Sequence, residues 1–152
     1  MRTVIQRVSS ARVDVNGDTS GAIDSGLLVF IAVEKGDPET ACATMARKVA
    51  GLRIFPDESG RMNRSVKDIG GEVLAVSQFT LAADMKKGYR PSFGNAEKPE
   101  RAERLYNTFC SQLNSVENVP VQRGVFGADM KVHLINDGPV TIRIDLPVEA
   151  KQ

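Results

Sequence analysis

"VPVQRGVFGADMKVHLINDGPVTIRIDL", Val119 to Leu146, decides the fold class. Three strand-like runs follow one another in it: Val119 to Arg123, Met130 to Ile135 and Val140 to Leu146. In the last run Val140, Ile142, Ile144 and Leu146 alternate with Thr141, Arg143 and Asp145, the period-two pattern of a half-buried strand. No helical pattern separates the three runs. That argues against a doubly wound parallel sheet and predicts an α+β domain. Gly138-Pro139 stands at the entry to the final run. Proline cannot donate to a sheet ladder and glycine is costly to order, so the dipeptide reads as a turn. An X–Pro bond is cis in only about 5–6% of folded cases, and from the residues alone a trans bond is expected.

Upstream, residues 2 to 8 and 11 to 15 read as two strands. Asn16-Gly17 is a strong hairpin signal after the second. "GLLVFIAV" (26 to 33) is a continuous apolar strand. Asp37-Pro38 resembles an N-cap followed by proline at the first helical position, and Ala41, Met45, Val49 and Leu52 follow at helical spacing. "EVLAVSQFTLA" predicts a strand from Val73 to Leu81, with Gln78 and Thr80 on one face and Ser77 and Phe79 on the other. A second helix is expected over Pro99 to Ser115, with Ala102, Leu105, Tyr106, Phe109 and Leu113 on its apolar face.

The chain has 152 residues, 41% hydrophobic and 26% charged, with 20 Lys+Arg against 19 Asp+Glu. These are the proportions of one globular domain, expected over residues 1 to 147 with a short tail at 148 to 152. The balanced charge neither demands nor excludes a nucleic-acid partner, which needs only a local basic patch. The N-terminus is strand-like rather than a signal peptide, and no apolar run approaches the roughly 18 residues that span a bilayer. The cytoplasm is therefore the expected location, with no membrane partner. Cys42 and Cys110 fall in helical patterns and read as buried free thiols; two cysteines make neither a disulfide framework nor a zinc site.

Candidate chemistry is sparse. His133 is the only histidine and alternates opposite Met130, Val132 and Leu134, so a plain strand-face residue is the simplest reading. No His-rich metal site and no phosphate-binding glycine loop is present. A serine triad would bring Ser77 to His133 and an acid. The residues leave that open, although nothing resembling a G-x-S-x-G elbow surrounds Ser77. Thr80 closes a hydrophobic strand. Its hydroxyl has no visible base, but its N–H could support an oxyanion. The alternative is an ordinary hydrogen-bonding threonine. In "KKGYRPSF", Lys86, Lys87 and Arg90 accompany Tyr89 and Phe93. Such a loop can hold phosphates and stack a base, or can simply be solvated.

"SQFTLAAD" (Ser77 to Asp84) and "NDGPVT" (Asn136 to Thr141) together resemble the bacterial D-aminoacyl-tRNA deacylases, once called D-tyrosyl-tRNA(Tyr) deacylases. "VIQRV" (Val4 to Val8), "VEKGD" (Val33 to Asp37), "RPSF" (Arg90 to Phe93) and "GVFGADM" (Gly124 to Met130) follow in family order, so the likeness covers nearly the whole chain. The resemblance implies two packed, mostly antiparallel sheets close to a β-barrel, with two main helices outside. It implies a cytosolic homodimer that cleaves the ester between a D-amino acid and the terminal adenosine of tRNA, without a cofactor or required metal. L-aminoacyl-tRNA is spared, and glycine mischarged on tRNA(Ala) can also be removed. Ser77, Gln78, Phe79 and Thr80 would line the site, with backbone N–H groups at Phe79 and Thr80 steadying the oxyanion. Gly138 and Pro139, joined by a cis bond, would reach into the partner's pocket and select chirality, with Arg7 fixing them. Lys86, Lys87 and Arg90 are possible tRNA contacts. Tyr89 stands where the family often has another basic residue, and Ala32 where it often has glycine.

Overall fold

The computed structural model describes residues 1–147. The tail expected at 148 to 152 lies outside the described residues. One long strand, β1 (Arg2–Val15), organises the chain. It pairs antiparallel with β2 (Asp18–Ile23) through its second half and with β3 (Gly26–Ala32) through its first half. After helix α1 (Thr40–Gly51) come a small hairpin, β4 (Phe55–Pro56) with β5 (Met62–Arg64), and strand β6 (Glu72–Ser77). Helix α2 (Pro99–Ser111) continues into a π turn, Gln112–Val116. Strands β7 (Val121–Arg123) and β8 (Lys131–Asp145) finish the described chain. The sheet order is β2-β1-β3-β6-β7, with β8 also paired to β1. Pairing is antiparallel around β1 and parallel from β3 through β6 to β7.

Both faces of this sheet are apolar, and that makes it curl. Leu27, Val29, Ile31, Val73 and Ala75 face the helices, where Met45, Val49, Leu105 and Phe109 cover them. Leu28, Leu74 and Val76 face the other way, onto Val8, Ala11, Val13 and Ile23 of the folded-over sheet. A sheet with no helix on its second face must cover that face with itself, and this one closes almost completely. At the seam, a Cβ on Gly21 of β2 would stand 2.7 Å from the Arg123 carbonyl of β7. Only glycine lets the two edges come this close.

The α+β class and the barrel-like arrangement agree with the sequence reading. Four boundaries differ. The runs at 2 to 8 and 11 to 15 are one strand, because β8 pairs with both halves of it across two register shifts. The runs at Met130 to Ile135 and Val140 to Leu146 are also one strand, interrupted by a bulge. Asp37 does not cap α1. Its carboxylate accepts from the Met1 ammonium at 2.5 Å and from the Glu34 N–H at 2.7 Å, and Glu39 stands at the cap position. The strand expected to Leu81 stops at Ser77, since β3 ends beside it and no ladder partner remains.

Cys42 and Cys110 are buried and free, and burial pushes both thiols up to about 11. Tyr106 hangs α2 on the sheet: its hydroxyl donates to the Ala75 carbonyl at 2.8 Å. That carbonyl also accepts from the Gly124 N–H, so it keeps a partner if Tyr106 is replaced. Tyr106→Phe is therefore expected to cost only about 1 kcal/mol and to lower the thermal midpoint by ~2–4 °C, measurable by calorimetry.

Candidate active site

β3 and β6 run side by side and end together, with Ile31 paired to Ser77. The Gln78 N–H makes one last bond to the Ile31 carbonyl, 2.8 Å, and the chain then turns into a 3-10 helix, Phe79–Ala82. A cavity of about 460 Å³ opens at this corner. Ile31 and Val33 line it together with Val76, all near the ends of the two strands. Ala102 and Tyr106 of α2 form one side, and Phe126, Met130 and Val132 the other.

Three of the four residues expected from "SQFT", namely Ser77, Gln78 and Phe79, line this cavity. Thr80 does not. It is exposed one step outside, where its hydroxyl accepts from the Gln78 side-chain amide. The first 3-10 bond of the turn runs from the Leu81 N–H to the Gln78 carbonyl. The Phe79 and Thr80 N–H groups precede it and have no partner within the turn, as at any helix start. The rim is thus an apolar hollow with two backbone donors beside it.

Glu97 also lines the cavity, and nothing in the sequence singled it out. Its Oε1 accepts from the Lys98 N–H at 2.8 Å and its Oε2 from Arg101 at 2.7 Å. The Lys98 bond, and after it Arg101, hold the carboxyl below its ordinary range. With both oxygens committed, Glu97 is a fixed anion and is unsuited to proton transfer near neutrality. Phe126, Met130 and Val132 were missed as lining residues. The signal was present: "GVFGADM" was a family motif without a role, and Val132 lies on the face opposite His133.

His133 is elsewhere. It stands across from Arg12 of β1, and its Nε2 lies 3.2 Å from Asp14 Oδ2. The Thr19 hydroxyl bond is the main cause that lowers the Asp14 pKa, with Arg12 and His133 adding to it. Ser77 lines the cavity and His133 does not, so the serine-triad alternative is not assembled.

The Gly138-Pro139 segment protrudes. Val8 of β1 pairs with Asn136 and Gln6 with Thr141, so residues 137–140 answer Arg7 alone and loop out of the ladder. The loop is stapled at both ends. Asn136 Oδ1 accepts from the Val140 N–H at 2.7 Å, and the Val140 side chain is buried. Arg7 Nε donates to the Asp137 carbonyl at 2.8 Å, and its Nη1 to the Ile54 carbonyl at 2.7 Å. The Gly138–Pro139 bond is cis, as the family resemblance implies and against the trans turn expected from the residues alone. Gly138 and Pro139 are exposed and do not line the cavity of their own chain.

Lys86, Lys87 and Arg90 are exposed on the loop that follows the 3-10 helix. Phe93 returns from this loop to meet Phe79 edge-on, ring centres 5.0 Å apart. Among the described residues no group of three or more His, Cys, Asp or Glu is placed to hold a metal ion, and no helix is long and apolar enough to cross a membrane.

The family model described as D-Tyr-tRNA(Tyr) deacylase matches residues 4–145. A D-aminoacyl-tRNA deacylase of Magnetococcus marinus is 65% identical over 147 residues, 97% of each chain. One of Paracoccus denitrificans is 58% identical, covering 95% of this chain and 97% of the relative. Among solved structures, a c-Myc DNA Unwinding Element Binding Protein superposes with a TM-score of 0.91 at 42% identity, covering 97% of this chain and 99% of that one. A probable eukaryotic D-amino acid tRNA deacylase shares the fold, with a TM-score of 0.81 at 18% identity, 95% of this chain and 98% of that one. The chain belongs to the D-Tyr-tRNA(Tyr) deacylase family, a family of hydrolases.

Proposed function

We propose that this chain hydrolyses the ester joining a D-amino acid to the terminal adenosine of tRNA, releasing the free D-amino acid and tRNA. The observation that carries the reading is near full-length identity to proteins named D-aminoacyl-tRNA deacylase. The corner at Ser77–Thr80 supports a mechanism. Water adds to the ester carbonyl carbon, and the oxygen that gains charge is held by the Phe79 and Thr80 N–H groups. Such donors act where charge develops rather than on the ground state. The only histidine is occupied elsewhere and the cavity's carboxylate is locked. The 2′-hydroxyl of the adenosine therefore carries the proton from the attacking water to the departing 3′ oxygen. Gln78 and Ser77 orient the aminoacyl group, and Lys86, Lys87 and Arg90 meet phosphates of the acceptor end.

Chirality is selected by a second copy of the chain. The dipeptide protrudes, is clamped by Arg7, and does not reach its own cavity. Its place is the cavity of a partner, where its backbone forms a wall against an L side chain. A clash built into rigid backbone excludes the wrong substrate in a way that added attraction cannot. A D side chain points away from the wall, and glycine, with no side chain, is also cleaved. The working unit is a homodimer in the cytoplasm.

The test is to incubate the protein with matched D-, L- and glycyl-tRNA and follow loss of the ester. Rapid loss of the D and glycyl forms is expected, with the L form intact. Equal D and L rates, or a stable D ester, would overturn the reading. His133→Ala is expected to change the rate by less than about threefold, because that side chain touches no reacting atom. A collapse on this substitution would instead revive the serine-triad scheme. Light scattering should give twice the 16.5 kDa chain mass. A fully active monomer would contradict the shared site. The name of the 42%-identical neighbour supports a second reading, nucleic-acid binding without turnover. It predicts association with tRNA and no ester loss in the same assay.

A further inference from the structure

The loop from Asp84 to Asn95 carries an exposed aromatic ring, Tyr89, to which the proposed reaction gives no role. It is a built loop. Asp84 and Ser92 exchange backbone hydrogen bonds of 2.8 and 3.0 Å, the Lys86 N–H donates to Asp84 Oδ1 at 2.9 Å, and Gly88 turns the chain at φ +73. At the apex Tyr89 is 100% exposed. A ring that buries nothing contributes nothing to the core. Lys86, Lys87 and Arg90 flank it, and none of them pairs with a carboxylate among the described residues. At the foot of the loop Phe93 meets Phe79, which ties the apex to the cavity rim. Phe93 lies four residues beyond Tyr89, a reach of at most about 13–14 Å, the scale of one or two nucleotides.

An exposed aromatic ring among free cations is the arrangement that grips single-stranded nucleic acid: the charges follow the phosphates and the ring takes an unpaired base. We propose that Tyr89 is a stacking platform for an unpaired nucleotide adjoining the terminal adenosine, with Lys86, Lys87 and Arg90 on the neighbouring phosphates. The inference rests on the proposed tRNA substrate, and it assigns this loop the single-stranded 3′ end rather than the duplex stem.

The test compares wild type with Tyr89→Ala, Tyr89→Phe and the double variant Lys86→Ser/Lys87→Ser. Each is assayed on D-aminoacyl-tRNA and on the D-aminoacyl ester of adenosine alone. Tyr89→Ala is expected to raise KM for the tRNA about tenfold, within the usual cost of removing one base stack, with kcat unchanged. The adenosine ester should be unaffected, and Tyr89→Phe should behave as wild type. The double variant should flatten the salt dependence of tRNA binding by about 0.7 in log–log slope for each phosphate that is no longer neutralised. An unchanged KM in Tyr89→Ala, equal losses on both substrates, or a change of solution mass would overturn the platform. Binding of an uncharged RNA strand ending in CCA separates the two readings. Tyr89-dependent binding by a chain that hydrolyses neither ester would keep the platform and remove the deacylase reading. Hydrolysis of both esters with Tyr89-independent binding would do the reverse.

Discussion

Gly138→Ala is expected to lower D-aminoacyl-tRNA hydrolysis by about a hundredfold or more and to shrink the D-over-L preference, with the fold retained. The cause is steric. Gly138 has φ +150, a conformation that an L residue adopts only with strain. A Cβ there would stand 2.7 Å from Val140 Cγ2, 2.8 Å from the Val140 N and 3.3 Å from an Arg7 guanidinium nitrogen. Val140 is the buried anchor of the bulge and Arg7 its clamp, so neither can give way without moving the wall they hold. A displacement near 1 Å at a positioning element can cost about a hundredfold in rate. The bulge itself is exposed, so stability should fall by only about 1–3 kcal/mol, seen as a small shift in the thermal midpoint. Arg7→Met is the companion variant. It keeps bulk but removes the donors to Asp137 and Ile54, and a smaller loss of about tenfold is expected, again with a reduced D-over-L ratio. Wild-type rate and selectivity in folded Gly138→Ala would show that this backbone is not the chiral wall.

The contrast between what the sequence reveals here and what it hides has a physical basis. The runs at 26 to 33 and 140 to 146 were legible because burial imposes their pattern residue by residue. The continuity of β1 was not. Ser9 and Ser10 read as a gap, yet β8, more than a hundred residues away, carries the ladder past them. Phe79 and Thr80 have strong strand propensity, but a strand needs a neighbour, and β3 ends at Ala32. Asp37 has the chemistry of a helix cap but binds the Met1 ammonium instead, a pairing that no local pattern encodes. In the site, "SQFT" and "NDGPVT" were visible as motifs. What joins "SQFT" to Glu97, Phe126 and Met130 is the curl of the sheet, which sets segments distant in sequence around one hollow.

The N–H groups at Phe79 and Thr80 yield the second large effect. Phe79→Pro is expected to reduce kcat by about 10²–10³ relative to Phe79→Ala, the usual loss when one oxyanion donor is removed. Both variants delete the ring, and with it the packing on Phe93, so that loss cancels in the comparison. Only proline deletes the N–H. The position tolerates it: Phe79 opens the 3-10 helix, where no intrahelical bond uses its N–H, and Gln78 before it is in non-helical backbone at φ −144. Thr80→Ala keeps its N–H and removes only a hydroxyl that accepts from Gln78, so it should cost less than about tenfold. Equal kcat in the proline and alanine variants at 79 would refute the backbone scheme. A collapse in Thr80→Ala with normal folding would move the chemistry onto the threonine hydroxyl. Since Thr80 stands just outside the cavity and no base adjoins it, the backbone is the donor the geometry favours.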